Sequence, residues 1–160
     1  MAKRTAEDLR EILGRDLRLN YRWGGGFFED ADLEVRRRTE SARAERDLDR
    51  IDGVDNLTQA LANRLKTRKG ELAPLGHPDY GSRHHELVGE PNVERTRNLI
   101  KLYVLQALRD EARIERVLSA DVRAEHTPPR EIVRIELSLR IKGEPTPLNL
   151  VVPFSLEASA

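Results

Sequence analysis

The chain begins with apolar residues at helical spacing. Leu9, Ile12 and Leu13 share one face, Thr5 stands where an N-cap belongs, Asp8 lies in the first turn and Gly14 follows the run. This predicts a short helix from Thr5 to Leu13. The period then changes to two. Leu17, Leu19, Tyr21 and Trp23 alternate with Asp16, Arg18, Asn20 and Arg22, which predicts a half-buried strand broken by Gly24-Gly25-Gly26. Neither a Lys-Ser/Thr pair nor a helix follows these glycines, so they read as a turn and not as a phosphate-binding loop. Residues 34–50 hold six basic and five acidic side chains with few large apolar ones, the pattern of a solvated loop.

Helical spacing returns at Leu57, Ala60, Leu61 and Leu65. Asn56 and Gln59 have capping-box spacing, so this helix is expected to start at Asn56 and to end near Thr67, with Gly70 turning the chain. Residues 70–92 are punctuated by Gly70, Pro74, Gly76, Pro78, Gly81, Gly89 and Pro91, yet carry Leu72, Leu75, Tyr80, Leu87 and Val88. They read as an ordered, packed connector with a short helix from Ser82 to Leu87. The longest helix is expected over about Val93 to Ala112, where Leu99, Ile100, Tyr103, Val104, Ala107 and Leu108 form an apolar stripe. Three strands follow: Val117 to Ala124; Glu131 to Ile141, alternating through Val133, Ile135, Leu137, Leu139 and Ile141; and Leu148 to Phe154, with Leu148, Leu150, Val152 and Phe154 on one face. Lys142 to Pro147 turns between the last two. Helices and strands are segregated, which predicts an α+β fold: a small single domain with a long helix on a mostly antiparallel sheet, closed by a C-terminal β-hairpin. No internal repeat and no linker is apparent.

Composition narrows the function. A chain of 160 residues is about one domain, and 38% hydrophobic against 35% charged residues allows a modest core. Basic and acidic residues number 28 each. Zero net charge argues against broad nucleic-acid binding and suits a subunit that ends inside an assembly. No apolar run is long enough for a membrane helix, and the N-terminus turns acidic where a signal peptide would turn apolar. Without cysteine there is no disulfide, thiolate nucleophile or cysteine zinc site.

Candidate chemistry is sparse. His77, His84 and His85 lie near Asp79 and Glu86, with His126 apart, but no helical His-x-x-x-His spacing occurs and no metal is expected. Ser82 beside His84 and His85 lacks a nucleophile elbow and reads as a helix cap. Glu71, Asp79, Glu86 and Glu90 invite a peptidoglycan-cleaving alternative, which predicts a raised pKa at Glu71, Glu86 or Glu90 in a cleft. The segment from Gly89 to Arg95 has two readings: a well-made helix start, or a rigid acidic corner offered to a partner. The C-terminal strands also have two: a sheet packed on the long helix, or an edge that completes another subunit's sheet, with Pro153 suited to an edge position. An interaction domain outside any injection machine is a third hypothesis.

A family resemblance runs through Asp55-Asn56-Leu57-Thr58-Gln59-Ala60-Leu61, Arg64-Leu65-Lys66-Thr67, Lys69-Gly70-Glu71-Leu72, Gly76-His77-Pro78-Asp79-Tyr80-Gly81-Ser82, Gly89-Glu90-Pro91 and Asn98-Leu99-Ile100-Lys101-Leu102-Tyr103-Val104. In this order and spacing, from about Leu48 to Leu139, the chain resembles the baseplate wedge or sheath-initiator family of contractile injection systems, which includes phage baseplate protein W and TssE of type VI secretion. The family also carries a lysozyme-like label. The resemblance implies a small α+β domain over 48–160, with 1–47 as an extension. It implies a structural, non-enzymatic role with no catalytic residue, cofactor or metal. Six copies per baseplate would be made and assembled in the cytoplasm. The implied partners are baseplate wedge proteins, the contractile sheath protein and inner-tube or hub proteins, not nucleic acid or membrane. A family Glu-Pro-Arg motif that contacts the wedge core is matched at Glu90 and Pro91, while Asn92 replaces its arginine, leaving Arg95 or Arg97 to supply the charge. Strands carrying Val133, Ile135, Leu137, Leu139, Leu148, Leu150, Val152 and Phe154 are implied to exchange backbone hydrogen bonds with sheath subunits.

Overall fold

The computed structural model describes residues 5–24, 27–37, 46–125 and 131–157. Helix α1 (Ala6–Leu13) forms as its pattern predicts, with a complete capping box between Thr5 and Asp8. Gly14 ends it at φ +80°, a conformation that favours glycine. Leu13 is fully buried in the main core.

Six short strands follow: β1 (Arg15–Leu17), β2 (Leu19–Gly24), β3 (Phe27–Leu33), β4 (Val35–Arg37), β5 (Arg46–Leu48) and β6 (Arg50–Asp52). They pair as three antiparallel ribbons, β1 with β6, β2 with β3 and β4 with β5. The expected loop over 34–50 is therefore corrected. Residues 35–37 and 46–48 form a ribbon with exposed side chains, because pairing satisfies its backbone without a buried face. Residues 38–45 and the expected turn at Gly25-Gly26 lie outside the described residues.

The ribbons meet at Arg18, Glu34 and Asp49 in a closed ring of backbone hydrogen bonds. Arg18 N–H donates to the Asp49 carbonyl at 2.9 Å, Asp49 N–H to Glu34 at 2.8 Å, and Glu34 N–H to Arg18 at 2.9 Å. Each residue between two strands gives one bond and takes one, so three ribbons join with no orphan group at their centre.

Helix α2 (Gly53–Lys66) starts three residues before the expected Asn56. Asn56 and Gln59 are not its cap but lie buried on its inner face. Asn56 Nδ2 donates to the Leu13 carbonyl at 2.9 Å. Gln59 Nε2 donates to the Leu17 carbonyl at 2.8 Å, and its Oε1 accepts from Leu19 N–H at 2.8 Å. The Gln59 amide thus pairs with the chain edge as a strand residue would, and fastens the ribbons to the body.

The connector forms two 3₁₀ turns, Ala73–Leu75 and Arg83–Leu87. Gly81, at φ +96°, lets it pass against α2: a Cβ there would lie 2.7 Å from the Thr67 and Arg68 carbonyl oxygens. Helix α3 (Glu94–Arg109) ends three residues before the expected Ala112. Past its end Glu111 turns inward to a paired contact with Arg113, Nε to Oε1 at 2.7 Å and NH2 to Oε2 at 3.0 Å. Strands β7 (Ile114–Ala124), β8 (Ile132–Ile141) and β9 (Leu148–Ser155) build an antiparallel sheet in the order β7-β8-β9. Its inner residues Val133, Ile135, Leu137, Leu139, Leu150, Val152 and Phe154 form the main core with Leu57, Leu61, Leu65, Ile100, Val104 and Leu108.

Candidate functional site

The predicted wedge-contact residues gather at the start of α3. Gly89 adopts φ +92° and donates its N–H to the Leu156 carbonyl at 2.7 Å, tying this corner to the end of the sheet. Glu90 and Pro91 are exposed. Asn92 does not cap the helix; Val93 occupies the N-cap position. Instead the Arg97 guanidinium folds back and donates to Asn92 Oδ1 at 2.9 Å and to the Asn92 carbonyl at 3.2 Å. A positive charge therefore rests beside residue 92, where the resembled motif has arginine. Arg95 points elsewhere, into a shallow groove on α3 with Glu94, Asn98, Leu99 and Leu102.

The two strands implied to meet sheath differ in what they offer. Strand β8 is paired on both sides, with β7 and β9, so its backbone is already used. Its side chains Val133, Ile135, Leu137 and Leu139 are buried, as are Leu150, Val152 and Phe154 of β9, while Leu148 is half-buried. Only backbone at the outer edges remains. At one edge, β7 carries two register shifts, which break its regularity. At the other, Leu156 N–H donates to the Glu131 carbonyl at 2.9 Å and fixes the phase of the β8–β9 ladder. Leu150, Val152 and Phe154 then bond to β8, whereas Asn149, Val151, Pro153 and Ser155 turn their backbone groups outward. Pro153 removes one outward donor and costs the ladder nothing.

Beside this edge lies a groove of about 400 Å³, lined by Leu150 to Val152 of β9, Leu19 and Tyr21 of β2, and Thr58, Gln59, Ala62 and Lys66 of α2. The Lys66 ammonium sits 3.8 Å from the Tyr21 ring centroid, and burial lowers its pKa to about 8. Tyr21 donates its hydroxyl to Asn63 Oδ1 at 2.9 Å, and burial pushes its pKa up to about 12.

The histidines serve packing. His84 is buried, its Nδ1 2.8 Å from Ser82 Oγ, and its ring meets Phe154 edge-on with centroids 4.5 Å apart. His85 Nε2 lies 2.8 Å from the Leu65 carbonyl oxygen. Ser82 holds the N-cap position but makes no side-chain cap; its hydroxyl faces His84 and the Tyr103 carbonyl. His77 is exposed, and His126 lies outside the described residues. Among the described residues no three His, Asp or Glu side chains are grouped to hold a metal. The carboxylates are spread out: Glu86 is held by Arg83 at 2.9 Å through both oxygens, Glu71 accepts from Arg68 N–H, and Asp79 pairs with Lys69. The Arg83 hydrogen bonds lower the Glu86 pKa, the opposite of what a general acid needs. Among the described residues no helix is long and apolar enough to cross a membrane.

Sequence reasoning missed Gln59, Asn56 and Glu111. The signal for the first two was present, as polar residues on the same helical face as Leu57 and Leu61.

These features define a small α+β domain with an exposed corner at Glu90 and Pro91 and a sheet edge that turns backbone groups outward. A family model described as baseplate wedge protein gp25 matches residues 52–146. The chain belongs to that family. Two solved structures are similar. One is the crystal structure named as a tail lysozyme from Geobacter sulfurreducens, 30% identical with a TM-score of 0.54, the match covering 66% of this chain and 93% of that one. The other is from the baseplate complex of the type VI secretion system, 20% identical with a TM-score of 0.51, covering 66% of this chain and 94% of that one. The latter likeness speaks for the fold alone. No curated protein matches the chain. Membership of a baseplate wedge family makes the chain a baseplate component.

Proposed function

We propose that this baseplate component is a sheath initiator. It would anchor to wedge proteins through Glu90, Pro91, Asn92 and Arg97, and use the outer edge of β9 to template the first sheath ring, six copies to a baseplate. Inner-tube or hub proteins would be further neighbours. The observation that carries this reading is the regular, outward-facing backbone of β9 beside a groove of about 400 Å³. An open edge recruits an extended segment by backbone hydrogen bonding, with little demand on its side chains. A preformed ring of edges replaces slow sheath nucleation with growth.

The test is to co-express the chain with its cognate sheath and wedge proteins and to count sheaths by electron microscopy. Removal of β9 would also remove Leu150, Val152 and Phe154 from the core, so a finer variant is needed. Val151→Pro deletes one outward donor and leaves the β8 ladder intact. Sheath nucleation should fall while wedge co-purification persists. Glu90→Lys with Arg97→Ala should do the reverse and release wedge proteins. A folded Val151→Pro protein that nucleates sheath normally would sink the strand-template mechanism.

A further inference from the structure

The three ribbons are built from one repeated tetrapeptide. Asp16-Leu17-Arg18-Leu19, Asp32-Leu33-Glu34-Val35 and Asp47-Leu48-Asp49-Arg50 each run aspartate, leucine, charged residue. In every copy the aspartate Oδ1 accepts from the N–H of the following leucine, at 2.8, 2.8 and 2.9 Å. The charged third residues form the junction ring. Their side chains meet on one face, with Arg18 Nε 2.9 Å from Asp49 Oδ2 and 3.9 Å from Glu34 Oε2.

Neighbouring strand residues point the opposite way. That places Leu17, Leu19, Leu33, Val35 and Leu48 together on the other face, where Leu19 is half-buried and the other four are 37%, 42%, 52% and 41% exposed. The pairs Leu17 with Arg50, Val35 with Leu48 and Arg37 with Arg46 extend this face, and alternation adds Arg15 with its partner Asp52, whose carboxylate is paired with Arg10. Arg15, Arg37, Arg46 and Arg50 are exposed and make no ion pair among the described residues. Four exposed aliphatic side chains are thus flanked by four arginines. Backbone bonds and the charged trio close the junction from the opposite face. An aliphatic centre with an arginine border matches protein interfaces better than the diffuse basic surface that polyanions select. Two copies meeting face to face would set this arginine border against itself, which disfavours self-association. All eight residues lie outside the matched range 52–146.

We propose that this ribbon face docks another protein of the same baseplate, through an apolar surface flanked by aspartate and glutamate. The inference rests on the baseplate reading but not on the sheath or wedge contacts. The full chain would be co-expressed with each cognate baseplate protein. Two variants are compared, Val35→Asp with Leu48→Asp, and Arg37→Glu with Arg46→Glu and Arg50→Glu. Each should keep its circular dichroism and melting temperature and lose affinity for one baseplate protein by on the order of tenfold or more. A photo-crosslinker at position 35 should map beside acidic residues on that protein. Folded variants with undiminished binding overturn the inference and leave the baseplate reading intact. So does a crosslink only to another copy, or wild-type capture by anionic vesicles or duplex DNA in place of protein. A chain that binds no baseplate protein in any form overturns both.

Discussion

The C-terminal sheet and the N-terminal ribbons are both antiparallel β-structure, and they stand on different supports. Strand β8 sits between two partners with Val133, Ile135, Leu137 and Leu139 sealed against α2 and α3. Among their described side chains the ribbons fully bury only Ile51, and they rely on local backbone bonds, the ring at Arg18, Glu34 and Asp49, the Gln59 amide and the Tyr21 hydroxyl on Asn63. Isolated two-stranded ribbons are marginal in water. Three joined at one ring and tethered to a helix share the ordering cost. Burial therefore sets the stability of the C-terminal sheet, and hydrogen-bond closure sets the shape of the ribbons. The largest test of this contrast is Leu139→Ala. It should lose about 3 kcal/mol in chemical denaturation, from lost burial and the cavity left behind. A loss below about 1 kcal/mol would break the comparison.

Acid should act next, at the sheet end. His84 and His85 lie against Phe154 with ring centroids 4.5 and 5.5 Å from it. Burial, then the neighbouring His85, lowers the His84 pKa to about 3. His85 is also lowered, by burial first, with Arg68 lowering and the Leu65 carbonyl and Glu71 raising it. A folded pKa below the unfolded value favours the neutral form. The stability this lends is complete above about pH 6.5 and falls as pH drops from there toward 3. Between pH 7 and 5, His84 alone should remove about 2 kcal/mol. His84→Phe should flatten that limb in pH-dependent melts. Unchanged pH dependence in the variant would show that His84 titrates normally.

The same division explains what was legible in the sequence. The helices and β7 to β9 declare themselves because one buried face imposes a period on the apolar residues. The segment 34–50 reads as loop because its strands have no buried face, so their composition reports solvent and not backbone pairing. Asn56 and Gln59 mislead for a geometric reason. Three residues apart is the capping-box spacing and also the spacing of neighbours on one helix face. The corner was half legible: Glu90 and Pro91 lie in a local motif, but the return of Arg97 to Asn92 depends on the first turn of α3. The tetrapeptide repeat was visible in the chain, but its meaning comes only from the ring that brings its copies together.

Gln59→Ala separates the regions more finely. It would leave the Leu17 carbonyl and Leu19 N–H without their α2 partner. The expected loss is about 1–2 kcal/mol, the scale of two modest hydrogen bonds with partly exposed partners. Hydrogen exchange should quicken at Leu19 and across the ribbons, while amides of β8 keep their protection. Equal acceleration in both regions would mean that they unfold as one unit.

The smallest expected effect is the most discriminating. Leu33 is 42% exposed and Leu139 is fully buried, although both are leucines in antiparallel strands. Leu33→Ala should cost no more than about 1 kcal/mol, because two fifths of the side chain already lies in water and no sealed cavity is left. The same residue lies at the centre of the face proposed to dock a partner, where truncation removes apolar contact made only in the complex. A leucine of small effect in denaturation but required for assembly would show that the repeat is maintained for contact. A Leu33→Ala protein as destabilised as Leu139→Ala would instead return the ribbon leucines to the fold, and the two regions would be held by one force after all.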